Sequence, residues 1–158
     1  MTTPEPMSAP AFSRQDRQRW MKTLALASGE QLQQLWTQFP DKPDFSYLRP
    51  TESGLVQVRG RLGNTGDRFN IGDMTVTRAS VVLESGLNGF AYIQGRDKTH
   101  ADIAAVVDAL MQSERAAATD DQILQPLVAT QQAKRAAATA ETLKTKVDFF
   151  TLVRGEDD

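Results

Sequence analysis

Few residues in this chain are of types that do chemistry, and they concentrate in one stretch. His100 is the single histidine, and the chain has no cysteine. His100 closes the run Gln94-Gly95-Arg96-Asp97-Lys98-Thr99-His100. An apolar, β-prone segment precedes this run and helically spaced apolar residues follow it, so a strand exits there into a helix start. The unpaired N–H groups and the dipole of a helix start favour an anion. Arg96 and Lys98 add two cations beside it. The same helix end disfavours the charged imidazole, and a neutral imidazole beside bound phosphates can act as donor or base. The other reading of the run is a capped helix with solvated charges and a surface histidine. His100 is therefore the candidate catalytic residue, and Arg96 and Lys98 are candidate contacts to a substrate or partner anion.

Three further groups come into question. In Arg59-Gly60-Arg61-Leu62-Gly63-Asn64-Thr65-Gly66-Asp67-Arg68, glycines lie between arginines, and backbone N–H groups there could cradle an anion with Arg61 and Arg68. The alternative is a polar hairpin turn. No Gly-Lys-Ser/Thr follows, so this is not a P-loop, and a strand rather than a helix comes next, so it is not a dinucleotide fingerprint. Arg78 stands among alternating apolar residues, either exposed or buried and paired. Phe149, Phe150 and Leu152 near the C-terminus, with Phe90 and Tyr92 on a strand apolar on both faces, are core or partner-interface anchors.

Other chemistries are excluded. Without cysteine there is no disulfide, thiolate zinc site, iron–sulfur cluster or Cys nucleophile. One histidine and no announced carboxylate spacing leave no metal site to assign. The net charge of -2 gives no basis for nucleic-acid binding. No secretory signal or membrane-length apolar run is visible, so a cytoplasmic location is expected.

The elements that must position these residues follow from periodicity. Residues 1–12, with Pro4, Pro6 and Pro10, read as a flexible tail. Residues 13–158 read as a single α+β domain. Ser13 with Asp16 opens a first helix, and a second runs from about Glu30 to Gln38, stopped by Pro40 and Pro43. Strands are expected over Phe45–Arg49, ending at Pro50, over Gly54–Leu62, over Arg68–Ile71 and Met74–Glu84, and over Leu87–Gln94. Their short connections demand antiparallel pairing in a sheet of three to five strands. Thr99 with Asp102 caps a helix carrying Ile103, Val106, Val107, Leu110 and Met111. Ala116–Asp121 breaks it, and Pro126 opens the last helix, to about Lys144. The apolar segment of about residues 147–155 is a terminal strand or extended arm, paired with this domain's sheet or another's.

Four linked passages narrow the function. They are Glu52-Ser53-Gly54-Leu55-Val56 through Arg61; Gly63-Asn64-Thr65-Gly66-Asp67-Arg68-Phe69 with Gly72-Asp73 and Thr75-Val76-Thr77-Arg78; Gln94 through Ala101 with Asp108-Ala109-Leu110-Met111-Gln112; and Val147 through Gly155. In this order and spacing they resemble the G subunit of the carbon–phosphorus lyase core complex, and Arg19-Trp20-Met21 fits that family as well. The resemblance spans about residues 17–156. It implies a transferase subunit in organophosphonate catabolism that is not active alone. The assembly would displace adenine from ribose C1′ of ATP with a phosphonate, giving α-D-ribose 1-methylphosphonate 5-triphosphate. The implied partners are the H, I and J subunits and, for the first step, the L protein. ATP and phosphonate are then substrates of the assembly, and no cofactor is bound by this chain. Two other readings stay open: a purely structural subunit that stabilises the catalytic I subunit, or a free-standing phosphate- or nucleotide-binding module.

Overall fold

A computed structural model describes residues 12–144. Its elements are α1 (Arg14–Ala25), α2 (Gly29–Gln38), β1 (Phe45–Arg61), β2 (Arg68–Leu83), β3 (Asn88–Gln94), α3 (Lys98–Leu110), α4 (Ala116–Thr119) and α5 (Gln125–Lys144). A 3-10 turn, Leu62–Asn64, joins β1 to β2, and a π turn, Asp120–Leu124, joins α4 to α5.

The expected capping box opens α1. Ser13 Oγ accepts from the Asp16 amide at 3.1 Å, and Asp16 returns a bond to the Ser13 amide at 3.1 Å. Trp20 and Leu24 are buried on its inner face. Phe12, the first described residue, packs edge-on against Trp20 with ring centroids 5.1 Å apart.

The sheet has three antiparallel strands in the order β1-β2-β3. The strands expected over Phe45–Arg49 and Gly54–Leu62 are one strand of 17 residues. Pro50 does not end it, because β1 is an edge strand and the proline falls in a register shift between Arg49 and Glu52. The runs 68–71 and 74–84 likewise merge into β2, and the last of three register shifts, between Val58 and Arg59, absorbs the extra residue.

One face of the sheet carries Ala79, Val81, Leu83, Ala91 and Ile93, all buried under α3. α3 is enclosed on most of its circumference, because α1, α2 and α4 pack on its outer side. It lies so close to β3 that a Cβ on Gly89 would stand 1.9 Å from the Ala105 carbonyl oxygen. Only glycine allows that approach.

Two details of α3 correct the sequence reading. Its N-cap is Asp97, not Thr99: the Asp97 carboxylate accepts from the His100 amide at 2.9 Å. Asp102 faces β1 instead, accepting from the Tyr47 hydroxyl at 3.0 Å and from Thr51. The chain also turns earlier than expected, over Met111–Arg115, and Ala116 already begins the next helix. The widened turn sits just before Pro126, which has no N–H to return to the carbonyl four residues back and whose ring displaces it.

Two parts project from this core. β3 pairs with β2 only from Val76 to Val82, so the outer halves of β1 and β2 form a two-stranded ribbon with no third strand. The ribbon extends seven residues beyond Gly54, or about 23 Å at strand rise. In α5, Gln31 bonds Thr130 and Gln131 bonds the Thr23 carbonyl, and residues 132–142 are exposed.

Candidate functional site

His100 is not at the surface. It is 4% exposed, and its Nε2 lies 2.8 Å from the Leu24 carbonyl oxygen. A carbonyl can only accept, so Nε2 carries the proton. The ring ties the start of α3 to the end of α1. Its neighbours in the run behave differently: Arg96 and Lys98 are exposed, at the end of β3 and the first turn of α3. Gly95 turns the chain between them and β3 with φ of +96°, a conformation that favours glycine. Its carbonyl accepts from Thr77 Oγ1 at 2.8 Å, and Thr77 is linked in turn to Ser53.

Arg61 and Arg68 are direct cross-strand partners at the tip of the ribbon. Like charges opposite one another destabilise an isolated strand pair. No ion pair among the described residues relieves them. The tip also exposes Leu62 at 75% and Ile71 at 63%. Ile71 lies over Gly60, where a Cβ would meet its Cδ1 at 2.5 Å.

Arg78 lies on the open face of the sheet, away from the helices. Its Nε donates to Glu52 Oε1 at 2.8 Å. Hydrogen bonds to Tyr92 and Glu52 raise its pKa further above the usual guanidinium range. Phe90 and Tyr92 flank it at 42% and 55% exposure, and Arg49 and Pro50 complete a shallow recess of about 120 Å³. Phe149, Phe150 and Leu152 lie outside the described residues.

The candidate cations therefore do not converge. Arg96 and Lys98 sit at the base of the ribbon, Arg61 and Arg68 at its tip, and Arg78 on the open sheet face. Among the described residues no three His, Asp or Glu side chains form a metal-binding group, and no helix is long and apolar enough to cross a membrane.

The most heavily bonded side chain was not predicted. Asp108, fully buried on α3, accepts from Arg17 Nη2 at 2.7 Å, Arg17 Nε at 3.2 Å, Trp20 Nε1 at 2.8 Å and the Phe90 amide at 2.9 Å. A carboxylate this deep requires such a set of donors. The signal was an acid on the apolar side of a helix stripe, facing Arg17 and Trp20 at helical spacing. The set joins α1, α3 and β3.

The comparisons with known proteins agree on one family. The family model described as "Phosphonate metabolism protein PhnG" matches residues 15–155. A relative from Rhizobium meliloti (strain 1021), "Alpha-D-ribose 1-methylphosphonate 5-triphosphate synthase subunit PhnG", is 42% identical over 141 residues, covering 89% of this chain and 90% of its own. The matched range takes in the ribbon, the α3 start and the helical core, and the chain belongs to the PhnG family of phosphonate metabolism proteins.

Proposed function

We propose that this chain is a subunit of an α-D-ribose 1-methylphosphonate 5-triphosphate synthase and works only within that assembly. The relative's name supplies the activity. The observation that carries the dependence is the pair of unsupported projections. A two-stranded ribbon is marginal in water on its own, and this one exposes Leu55, Leu62, Phe69 and Ile71. Such surface fits burial against another protein. The natural partners are the H, I and J subunits, with the L protein for the first step, in the cytoplasm. ATP and phosphonate are substrates of the assembly, and no cofactor is assigned to this chain.

Within that role, the paired arginines at the ribbon tip suit an anion held jointly with a partner: a substrate phosphate or an acidic patch. The burial of His100 favours a structural role for that residue, positioning α1 on α3, rather than proton transfer. The test is co-expression with the other subunits, followed by an assay of adenine release from ATP and phosphonate. Arg61→Ala with Arg68→Ala should preserve co-elution and lower turnover if the tip reaches the shared site. Unchanged turnover would leave the ribbon a purely structural clamp. A chain that purifies as a stable monomer and binds nucleotide alone would overturn the subunit reading.

A further inference from the structure

The outer edge of β3 is half closed and half open. The pair Thr75–Gly95, with the Gly95 amide 2.9 Å from the Thr75 carbonyl oxygen, sets the alternation along the strand. Odd-numbered residues bond β2, and Asn88, Phe90, Tyr92 and Gln94 turn their backbone groups outward. The first part of that edge is capped by side chains. Gln112 donates to the Asn88 carbonyl at 2.9 Å, and Asp108 takes the Phe90 amide. From the Phe90 carbonyl through both groups of Tyr92 to the Gln94 amide, no partner exists among the described residues. Beside this open part lies an apolar cleft of about 230 Å³, walled by Met21, Lys22, Leu24, Ala25, Ile93 and Ala104. An open edge of this kind is a template for one more strand.

We infer that the missing strand is the segment 149–153 of a second copy of this chain. Fourteen residues follow Lys144, and among them Phe149-Phe150-Thr151-Leu152-Val153 is a β-prone apolar run whose five residues match Phe90–Gln94. Charge sets the direction. The acidic residues Glu156, Asp157 and Asp158 follow the run, while Arg96 and Lys98 follow β3. Parallel pairing brings these acids to those cations and places Thr151 beside Tyr92.

Reach selects the second copy. From Gln131, which bonds the Thr23 carbonyl, α5 carries the chain about 20 Å further at helical rise. Residues 132–142 are exposed, so this part of α5 does not pack across its own cleft. From Lys144 to Phe149 the chain spans at most about 18 Å when extended, which is less than that path back to Gln131 alone. Mutual exchange of such arms closes the edges of both copies. The inference does not depend on which other subunits the assembly contains.

The chain has no cysteine, so engineered pairs report without background. Tyr92→Cys is placed in one tagged full-length copy, and Phe149→Cys, Phe150→Cys or Thr151→Cys in another carrying a different tag. The two are co-expressed in whatever state the full chain purifies, alone or assembled, and treated with a short thiol cross-linker. The expected result is a cross-linked product carrying both tags, strongest with Thr151→Cys. It should be lost when Leu152→Pro in the arm or Gln94→Pro on β3 removes an edge bond, because in this parallel register the Leu152 amide meets the Tyr92 carbonyl and the Gln94 amide meets the Leu152 carbonyl. Leu152→Pro lies outside the described fold, so it keeps the test valid if Gln94→Pro misfolds. Cross-linking only within one doubly substituted chain, capture of another subunit by Tyr92→Cys, or no cross-link at any position would each overturn the inference.

Discussion

At the scale of single residues, polar side chains hold this protein together where a reader of the sequence would look for catalysis. Asp108 is the strongest case. Asp108→Ala leaves Arg17, Trp20 Nε1 and the Phe90 amide without their acceptor, and should cost about 3–5 kcal/mol, read from urea unfolding. Asp108→Asn keeps part of the set and should cost less. His100→Ala should cost about 1–3 kcal/mol through loss of the Leu24 bond, while Arg96→Ala should stay within about 0.5 kcal/mol. Equal effects of the two would contradict the different placements of these side chains. Asp16 offers a pH test. Hydrogen bonds from Ser13 and then Arg19 hold its pKa below the model-compound value of 3.8. A depressed folded-state pKa means the capping box is fully formed above that value and is lost as pH falls through the lower, folded one. An NMR titration should show the Ser13 and Asp16 amides shifting at a pH below the ordinary carboxylate range, and this shift should be absent in Asp16→Asn.

At the scale of elements, the sheet is organised around how closely α3 approaches it. Gly89 lies against the Ala105 carbonyl with no room for a methyl group, so Gly89→Ala must push α3 away from β3. The expected loss is about 1–3 kcal/mol, as for other overpacked cores, measured by thermal or urea unfolding. The same change at Gly54 or Gly72, where nothing lies within 4 Å of an added Cβ, should be nearly silent. The contrast shows why β3 is short and β2 is long. β3 extends only as far as α3 and α1 cover it, and β2 continues beyond into the ribbon.

At the scale of the whole molecule, one end of the core gathers the features that imply partners. The start of α3, the end of α1, the base of the ribbon and the last core contacts of α5 lie together there, joined by the His100–Leu24 and Gln131–Thr23 bonds. Beyond them stand the ribbon and the outer half of α5. Replacing Leu55, Phe69 and Ile71 together with serine should leave unfolding of the core almost unchanged, because all three are exposed. It should also reduce self-association of the isolated chain and abolish co-elution with partner subunits. Pull-down and light scattering measure both. Retained co-elution would place the interface elsewhere.

Several of these features were legible in the residues alone. The α+β class, the α1 capping box, α2, the helical stripe of α3 and the alternation of β3 all followed from local periodicity and caps, which depend on neighbours in sequence. The family was legible too, because its four passages keep their order and spacing. What escaped were decisions made between distant segments. Pro50 reads as a strand terminator until β1 is seen to be an edge strand. Thr99 reads as the cap until Asp97 is seen to accept from the His100 amide and Asp102 to face β1. His100, read as an exposed group in a cationic run, was decided by the end of α1, which folds over it and supplies the Leu24 carbonyl. The run that first suggested chemistry ties two helices together through His100 and leaves Arg96 and Lys98 exposed beside it. Sequence determined the helical stripes, the antiparallel middle of the chain and the family. Tertiary packing alone decided which polar side chains are consumed inside the core and which remain on the surface to meet a partner.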